Sequence, residues 1–425
     1  MSLQKEKLWT KEYIFVILMY LGNVFSLYYY GGMITSIADG LGGSAVLAGL
    51  TSSVYSITPI FCRNFVGAFC DKYGRSKANL IGIIINALCC VAYCFCFNIL
   101  TLFITRAIMG IGFCFTSVAN YAAAADVTPA NRKAEGLGWF QNAASISEYL
   151  GPALSLICIT WTPGSYVGLH IGALLSCVWA FVFSLFVRYE KDPKYKARLA
   201  AEQQRVAAAE NAQSADMPAL PKAKVVLGME TTAWSVALIV LIITAAHSCT
   251  NTYALLAMQK RGLDAYTSKF FLTVAIGLIL GRAVISRLSD KYGVLKVTIP
   301  VYALSAAALI GIGTIDNGLA VVALGLPYGL MFGTMASTSQ ALMVNAVAPS
   351  RRAYASAMYL LAMDLAFGFS SILWGAVIEQ VGFGGVFAVA AVCPVIAILV
   401  VIVFWRRVGK AIFQYNRAMA EKNVA

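Results

Sequence analysis

The runs Tyr13–Tyr20, Ala233–Ala246 and Val386–Phe404 contain no charged residue. Stretches of this kind recur along the whole chain, and they restrict its fold more than any other feature. A helix that spans a lipid bilayer needs about 20 mostly apolar residues. Read in order, the apolar stretches give twelve spans, at 12–37, 45–69, 78–97, 98–124, 135–160, 165–187, 233–257, 267–289, 295–314, 318–346, 353–379 and 383–405. Only 12% of the residues are charged and the mean hydropathy is +0.75, whereas a soluble domain carries about a quarter charged residues. Inside lipid a backbone must satisfy its own hydrogen bonds, so the spans are expected to be helical.

Residues 189–230 break the pattern. They are polar and Ala-rich (KYKARLAAEQQRVAAAENAQ), with prolines further on. The expected organisation is an N-terminal six-helix bundle at 1–188, a linker at 189–230 and a C-terminal six-helix bundle with a short tail at 231–425. The expected fold class is therefore an all-α membrane protein of twelve transmembrane helices in two pseudo-symmetric bundles. Lys and Arg collect in the loops that follow even-numbered spans, in the linker and at both ends. That bias places both termini and the linker in the cytoplasm. The net charge of +13 is thus a topology signal beside anionic lipid rather than a nucleic-acid footprint. Lys5, Lys7 and Lys11 precede the first span without a small-residue cleavage pattern, so that span is expected to be retained.

One tetrapeptide occurs twice. Asp71-Lys72-Tyr73-Gly74 follows span 2 and Asp290-Lys291-Tyr292-Gly293 follows span 8, at a spacing of 290 − 71 = 219 residues. Arg63 and Arg282 each stand eight residues before their aspartate, and Lys77 and Lys296 each stand six after. The chain reads as a duplicated six-helix unit, an architecture of rocking secondary transporters.

The stretch Gly67-x-x-x-Asp71-Lys72-x-Gly74-Arg75-x-Lys77 resembles the loop 2–3 signature of the major facilitator superfamily, and loop 8–9 is a degenerate copy with Ser286 in place of the first glycine. Arg106-x-x-x-Gly110-x-Gly112 resembles that family's fourth-helix motif, and Gly151-Pro152 part of the fifth-helix motif of its antiporters, here flanked by Ser147, Leu154 and Ser155. Asp364-Leu365 with Gly368 looks most like the bacterial drug and metabolite efflux branch. The resemblance implies that Asp71 meets the N-terminal end of span 11 when the cytoplasmic side is closed, a contact that a helix dipole favours. Asp290 is the corresponding candidate in the second half.

Charged groups within spans are costly and usually face a cavity or a partner. Glu148 and Asp364 lie midway along spans 5 and 11, with Arg106 on span 4 beside Glu148. They are the proton-coupling candidates. For Arg106 and Glu148 a static ion pair is the alternative. Arg63 and Arg282 suit snorkelling or pairing across the seam between halves. Candidates for the solute cavity come from spans 1, 4, 7 and 10: Asn23, Tyr28, Phe115, Asn120, His247, Asn251, Tyr253, Tyr328, Met331 and Gln340.

Most of the eleven cysteines sit inside apolar runs, and no paired CxxC or HxxxH spacing marks a metal site. No cofactor is implied. There is no GxxxxGK[ST] loop for ATP and no HExxH-like pattern for an enzyme. The expected protein is a monomeric, multi-pass transporter of the bacterial inner membrane. Its expected partners are a small organic solute, protons and the lipid bilayer, and it exports the solute. An uptake symporter for an organic acid, or a non-transporting membrane sensor, are the alternatives.

Overall fold

The computed structural model describes residues 7–129, 132–193, 225–226, 229–345 and 352–404. Most of the expected linker and both expected cytoplasmic ends lie outside the described residues. The chain divides into two compact units, Met1–Ala215 and Asp216–Ala425.

In the first unit α1 (Lys11–Tyr28) is followed by α2 (Met33–Gly40), α3 (Ala45–Tyr73), α4 (Arg75–Ala92), α5 (Ile99–Val127), α6 (Lys133–Ile159) and α7 (Val167–Phe186). Short polar side chains start these helices by accepting from free N–H groups. Thr10 caps α1, Ser44 caps α3, and Asn98 forms a reciprocal capping box with Thr101 at α5. A core of Tyr13, Val16, Tyr20, Val24, Ala124 and Phe140 binds α1, α5 and α6, with Tyr20 and Phe140 stacked at 3.9 Å.

In the second unit the only extended pairing among the described residues is a two-residue ladder, β1 (Val225–Val226) on β2 (Met229–Glu230). It leads into α8 (Thr231–Lys260) and α9 (Asp264–Leu280), which continues through a π-turn at Gly281–Ile285 into α10 (Ser286–Tyr292). Then come α11 (Val294–Thr314), α12 (Gly318–Asn345), α13 (Arg352–Ala390) and α14 (Val392–Phe404).

Among the described residues, ten helices are long and apolar enough to cross a membrane, against twelve expected. Two features account for the difference. The expected spans 353–379 and 383–405 run together as one stretch, Met358–Phe404, which contains the non-helical Gly382 (φ 74°, ψ 174°) and the break at Ala391 between α13 and α14. The expected span 135–160 is present as α6, but Gln141, Asn142, Ser145, Ser147 and Glu148 make its middle too polar to count. The outer faces of the helices are apolar: Phe61 is 80% exposed and Leu373 is 63% exposed. Such surfaces are liabilities in water and are the expected lipid contacts in a bilayer.

The two Asp-Lys-Tyr-Gly loops share one backbone geometry. Gly74, between α3 and α4, has φ 96° and ψ 153°; Gly293, between α10 and α11, has φ 94° and ψ 144°. In each, the preceding lysine lies 5.2 Å over the ring of the tyrosine that follows it. This φ/ψ region is nearly closed to residues with a Cβ, at a cost of about 1–3 kcal/mol. A Cβ at Gly293 meets nothing within 4 Å, whereas one at Gly74 would lie 3.3 Å from Glu190 Oε2. Gly293→Ala should therefore lower the melting temperature of the detergent-solubilised protein through backbone strain alone, and Gly74→Ala should lower it further. Equal shifts would show that Glu190 does not crowd position 74.

Candidate functional site

The end of the first unit where α3 meets α4 carries its densest set of charges. Arg75, the first residue of α4, points its Nη2 toward Asp71 Oδ1 at 3.4 Å, and its Nε lies 3.2 Å from Asp126 Oδ2 at the end of α5. The Asp71 side chain is 76% exposed and Asp126 only 16% exposed, so the Asp126 contact is screened less and carries more of the interaction. Glu190, just beyond α7, accepts the Arg75 backbone N–H at 2.6 Å and that of Ser76 at 3.1 Å. A carboxylate there satisfies two orphan donors of the α4 N-terminus and meets the positive end of its dipole. Four elements are thus tied together at one point. Of the gating residues, Gly67 is half-buried and Lys72 exposed. In the second unit Lys291 is exposed, and the Asp290 side chain lies outside the described residues.

Behind this cluster lies a small cleft lined by Met19, Arg75, Ser76, Asn79, Ser184 and Tyr189. Asn79 Oδ1 accepts from Asn23 Nδ2 at 3.0 Å and from Asn120 Nδ2 at 2.9 Å, and Asn79 Nδ2 reaches Met19 Sδ at 3.2 Å. Asn120 also donates to the Thr116 carbonyl. The two cavity candidates Asn23 and Asn120 therefore join α1, α4 and α5 through a third asparagine that the sequence did not single out. All three are at most 2% exposed.

Arg106 is not paired with Glu148. Its guanidinium lies 4.3 Å over the Tyr55 ring, and its Nη1 donates to Met109 Sδ at 3.7 Å. The Tyr93 hydroxyl donates to the same sulfur at 3.4 Å. Tyr93 belongs to a second group, with its ring 5.7 Å from His170, whose Nδ1 is 3.1 Å from the Tyr30 hydroxyl. Glu148 is buried on α6, 7% exposed. Proximity in span order suggests an Arg106–Glu148 pair, but the guanidinium turns to an aromatic face on α3 instead.

In the second unit His247 is 1% exposed and stacks on Phe332 at 3.7 Å, with Phe367 edge-on at 5.6 Å. Its Nδ1 is 2.8 Å from the Tyr328 hydroxyl. Asp364 lies half-buried on α13, one turn before Phe367. Tyr253 is fully buried and donates to the Ser371 carbonyl, while Ser371 Oγ is 2.8 Å from Ser248 Oγ. Met331 is fully buried, Asn251 half-buried and Gln340 exposed. In the first unit Phe115 meets Phe69 edge-on, and half-buried Tyr28 packs against Gly151. The structure thus brings His247 and Tyr328 together, and Asn23 with Asn120, and leaves the other cavity candidates dispersed within their units. Glu190, Asp126, Asn79 and Tyr55 are the contributors that sequence reading missed. Among the described residues no group of three or more His, Cys, Asp or Glu side chains is arranged to hold a metal.

The Major Facilitator Superfamily family model matches residues 16–353. The fold is similar to that of the nucleoside transporter NupG (TM-score 0.68, 16% identity, 93% of this chain and 99% of that one). It is also similar to a bacterial homolog of the human lysosomal transporter Spinster in an inward-facing, occupied conformation (TM-score 0.70, 12% identity, 94% and 97%). No curated protein matches by sequence.

Glu190→Gln keeps the shape of the α4 cap and removes its charge. It should cost about 1 kcal/mol and loosen the junction beside Cys70, a buried thiol in the last turn of α3. With Cys70 as the sole cysteine, maleimide labelling should rise about fivefold, as that energy implies. Unchanged labelling would show that the cap does not hold the junction.

Proposed function

Because this chain belongs to the major facilitator superfamily, we propose that it moves a small organic solute by alternating access, with the Asp71–Arg75 loop as a gate and protons as the coupling ion. It is a transporter rather than an enzyme. The observation that carries the gate is the convergence of Asp71, Asp126 and Glu190 on Arg75 and the start of α4. Such a cluster gives the end of the unit a defined closed arrangement, and Asp71, the most exposed member, is free to exchange partners as the molecule rocks. Latching of Asp71 on the start of α13 is part of this proposal.

In this reading Asp364 carries the proton and Glu148 tunes the coupling, one buried or half-buried carboxylate in each unit. An ionisable side chain within a span is costly and usually serves a pathway or a partner. Export across the bacterial inner membrane by a monomer completes the leading reading. Uptake of an organic acid is the second reading, and the observation that favours it is the buried Arg106 with no carboxylate beside it.

The experiment uses purified protein in liposomes and compares pH-gradient-driven flux with solute counterflow. Asp364→Asn should reduce driven flux at least about tenfold, since a lost proton-transfer group commonly costs that or more, and should leave counterflow. Glu148→Gln, which breaks no ion pair with Arg106, should also spare counterflow. Normal driven flux in Asp364→Asn would remove that residue from coupling.

A further inference from the structure

We propose that Arg106 anchors an anion site, and that the solute carries a carboxylate that docks on its guanidinium. The proposal rests on the transporter reading and adds the substrate class to it.

Arg106 is 5% exposed, on α5. A guanidinium stays charged at any depth, and a buried charge without a counter-charge is unfavourable. The first unit supplies only soft compensation. The Tyr55 ring covers one face, and the Met109 thioether takes Nη1. A ring quadrupole and a sulfur are weak partners for a full positive charge. The buried Nε donates to nothing, and none of the ion pairs among the described residues includes Arg106.

The contrast with Arg261 in the second unit is direct. Arg261 pairs with Asp316 and donates to the carbonyls of Ile312 and Ile315, which is how an arginine with a purely structural role is saturated. Arg106 has neither a carboxylate nor a carbonyl. With one face on Tyr55, Nη1 engaged and the Tyr93 hydroxyl within hydrogen-bonding reach of the guanidinium, Nε remains unbonded, and a guanidinium presents its donors in a planar fork that matches the two oxygens of a carboxylate. Tyr93, bonded to the same sulfur and packed on His170, is an uncharged neighbour of the guanidinium.

The test measures binding apart from transport. Thermal unfolding of the full chain in detergent is followed at constant ionic strength with acetate, succinate and benzoate, with their neutral amides, and with inorganic phosphate. At least one carboxylate should raise the melting temperature, while its amide and phosphate do not. Arg106→Gln should abolish that shift and Arg106→Lys should keep part of it, both variants remaining monodisperse by gel filtration. Counterflow of the same carboxylate in liposomes should fall at least tenfold in Arg106→Gln. The proposal is overturned by a carboxylate shift of equal size in Arg106→Gln. It is equally overturned if no carboxylate acts on the wild type, if phosphate alone acts, or if an amide undergoes counterflow equally in wild type and Arg106→Gln. Loss of counterflow for every solute with the carboxylate shift intact would count against alternating access and leave the anion site standing.

Discussion

Lipid offers no hydrogen-bond partners, and the polar groups within the described spans are placed under that constraint. The backbone answers it with long helices. Hydroxyl side chains answer it locally, by bonding back to their own helix: Thr105 to the Thr101 carbonyl, Ser147 to Ala143, Ser305 to Val301 and Thr338 to Thr334. Amides carry more donors and acceptors than one turn can use, so Asn23 and Asn120 both donate to Asn79 across three helices, Asn120 donating also to the Thr116 carbonyl. The polar groups thereby hold the packing of the first unit.

Charges answer the same constraint in two different ways. Arg75 lies at the end of its helix, within reach of Asp71 and Asp126, and its backbone N–H is taken by Glu190. Its partners are arranged around a helix end and can be exchanged at modest cost, which suits a gate. Arg106 lies deeper, with an aromatic ring and a thioether. There, exchange of partners means the arrival of a counter-charge, which suits a binding site. The two arginines stand on adjacent helices of one unit, and in the proposals above one holds the loop and the other recognises the solute.

The helices and the repeat were legible because they are local. Apolar runs state span length, and Gly74 and Gly293 adopt the same rare backbone that the repeated tetrapeptide implies. The join between the last two spans was legible too: Glu379, Gln380 and Gly382 interrupt the apolar run between the expected spans 353–379 and 383–405, and Gly382 is the residue with non-helical geometry. The partners of Arg75 were hidden by distance along the chain: Glu190 is 115 residues away. Arg106 and Glu148 were expected side by side, as coupling partners or as an ion pair, because their spans are consecutive, and only the rotation of α5 shows that the guanidinium meets Tyr55. Asn79 was not singled out, since its partners Asn23 and Asn120 are 56 and 41 residues away along the chain.

The central claim is that the charged loop at Asp71 holds one of two alternating arrangements. It is tested most directly by spin labels placed at the exposed positions Lys72 and Tyr292, one in each unit, with the distance between them measured by double electron–electron resonance in lipid nanodiscs. The account predicts two distance populations, with the longer one enriched by Asp71→Asn. A single distance, unchanged by that substitution, would contradict it.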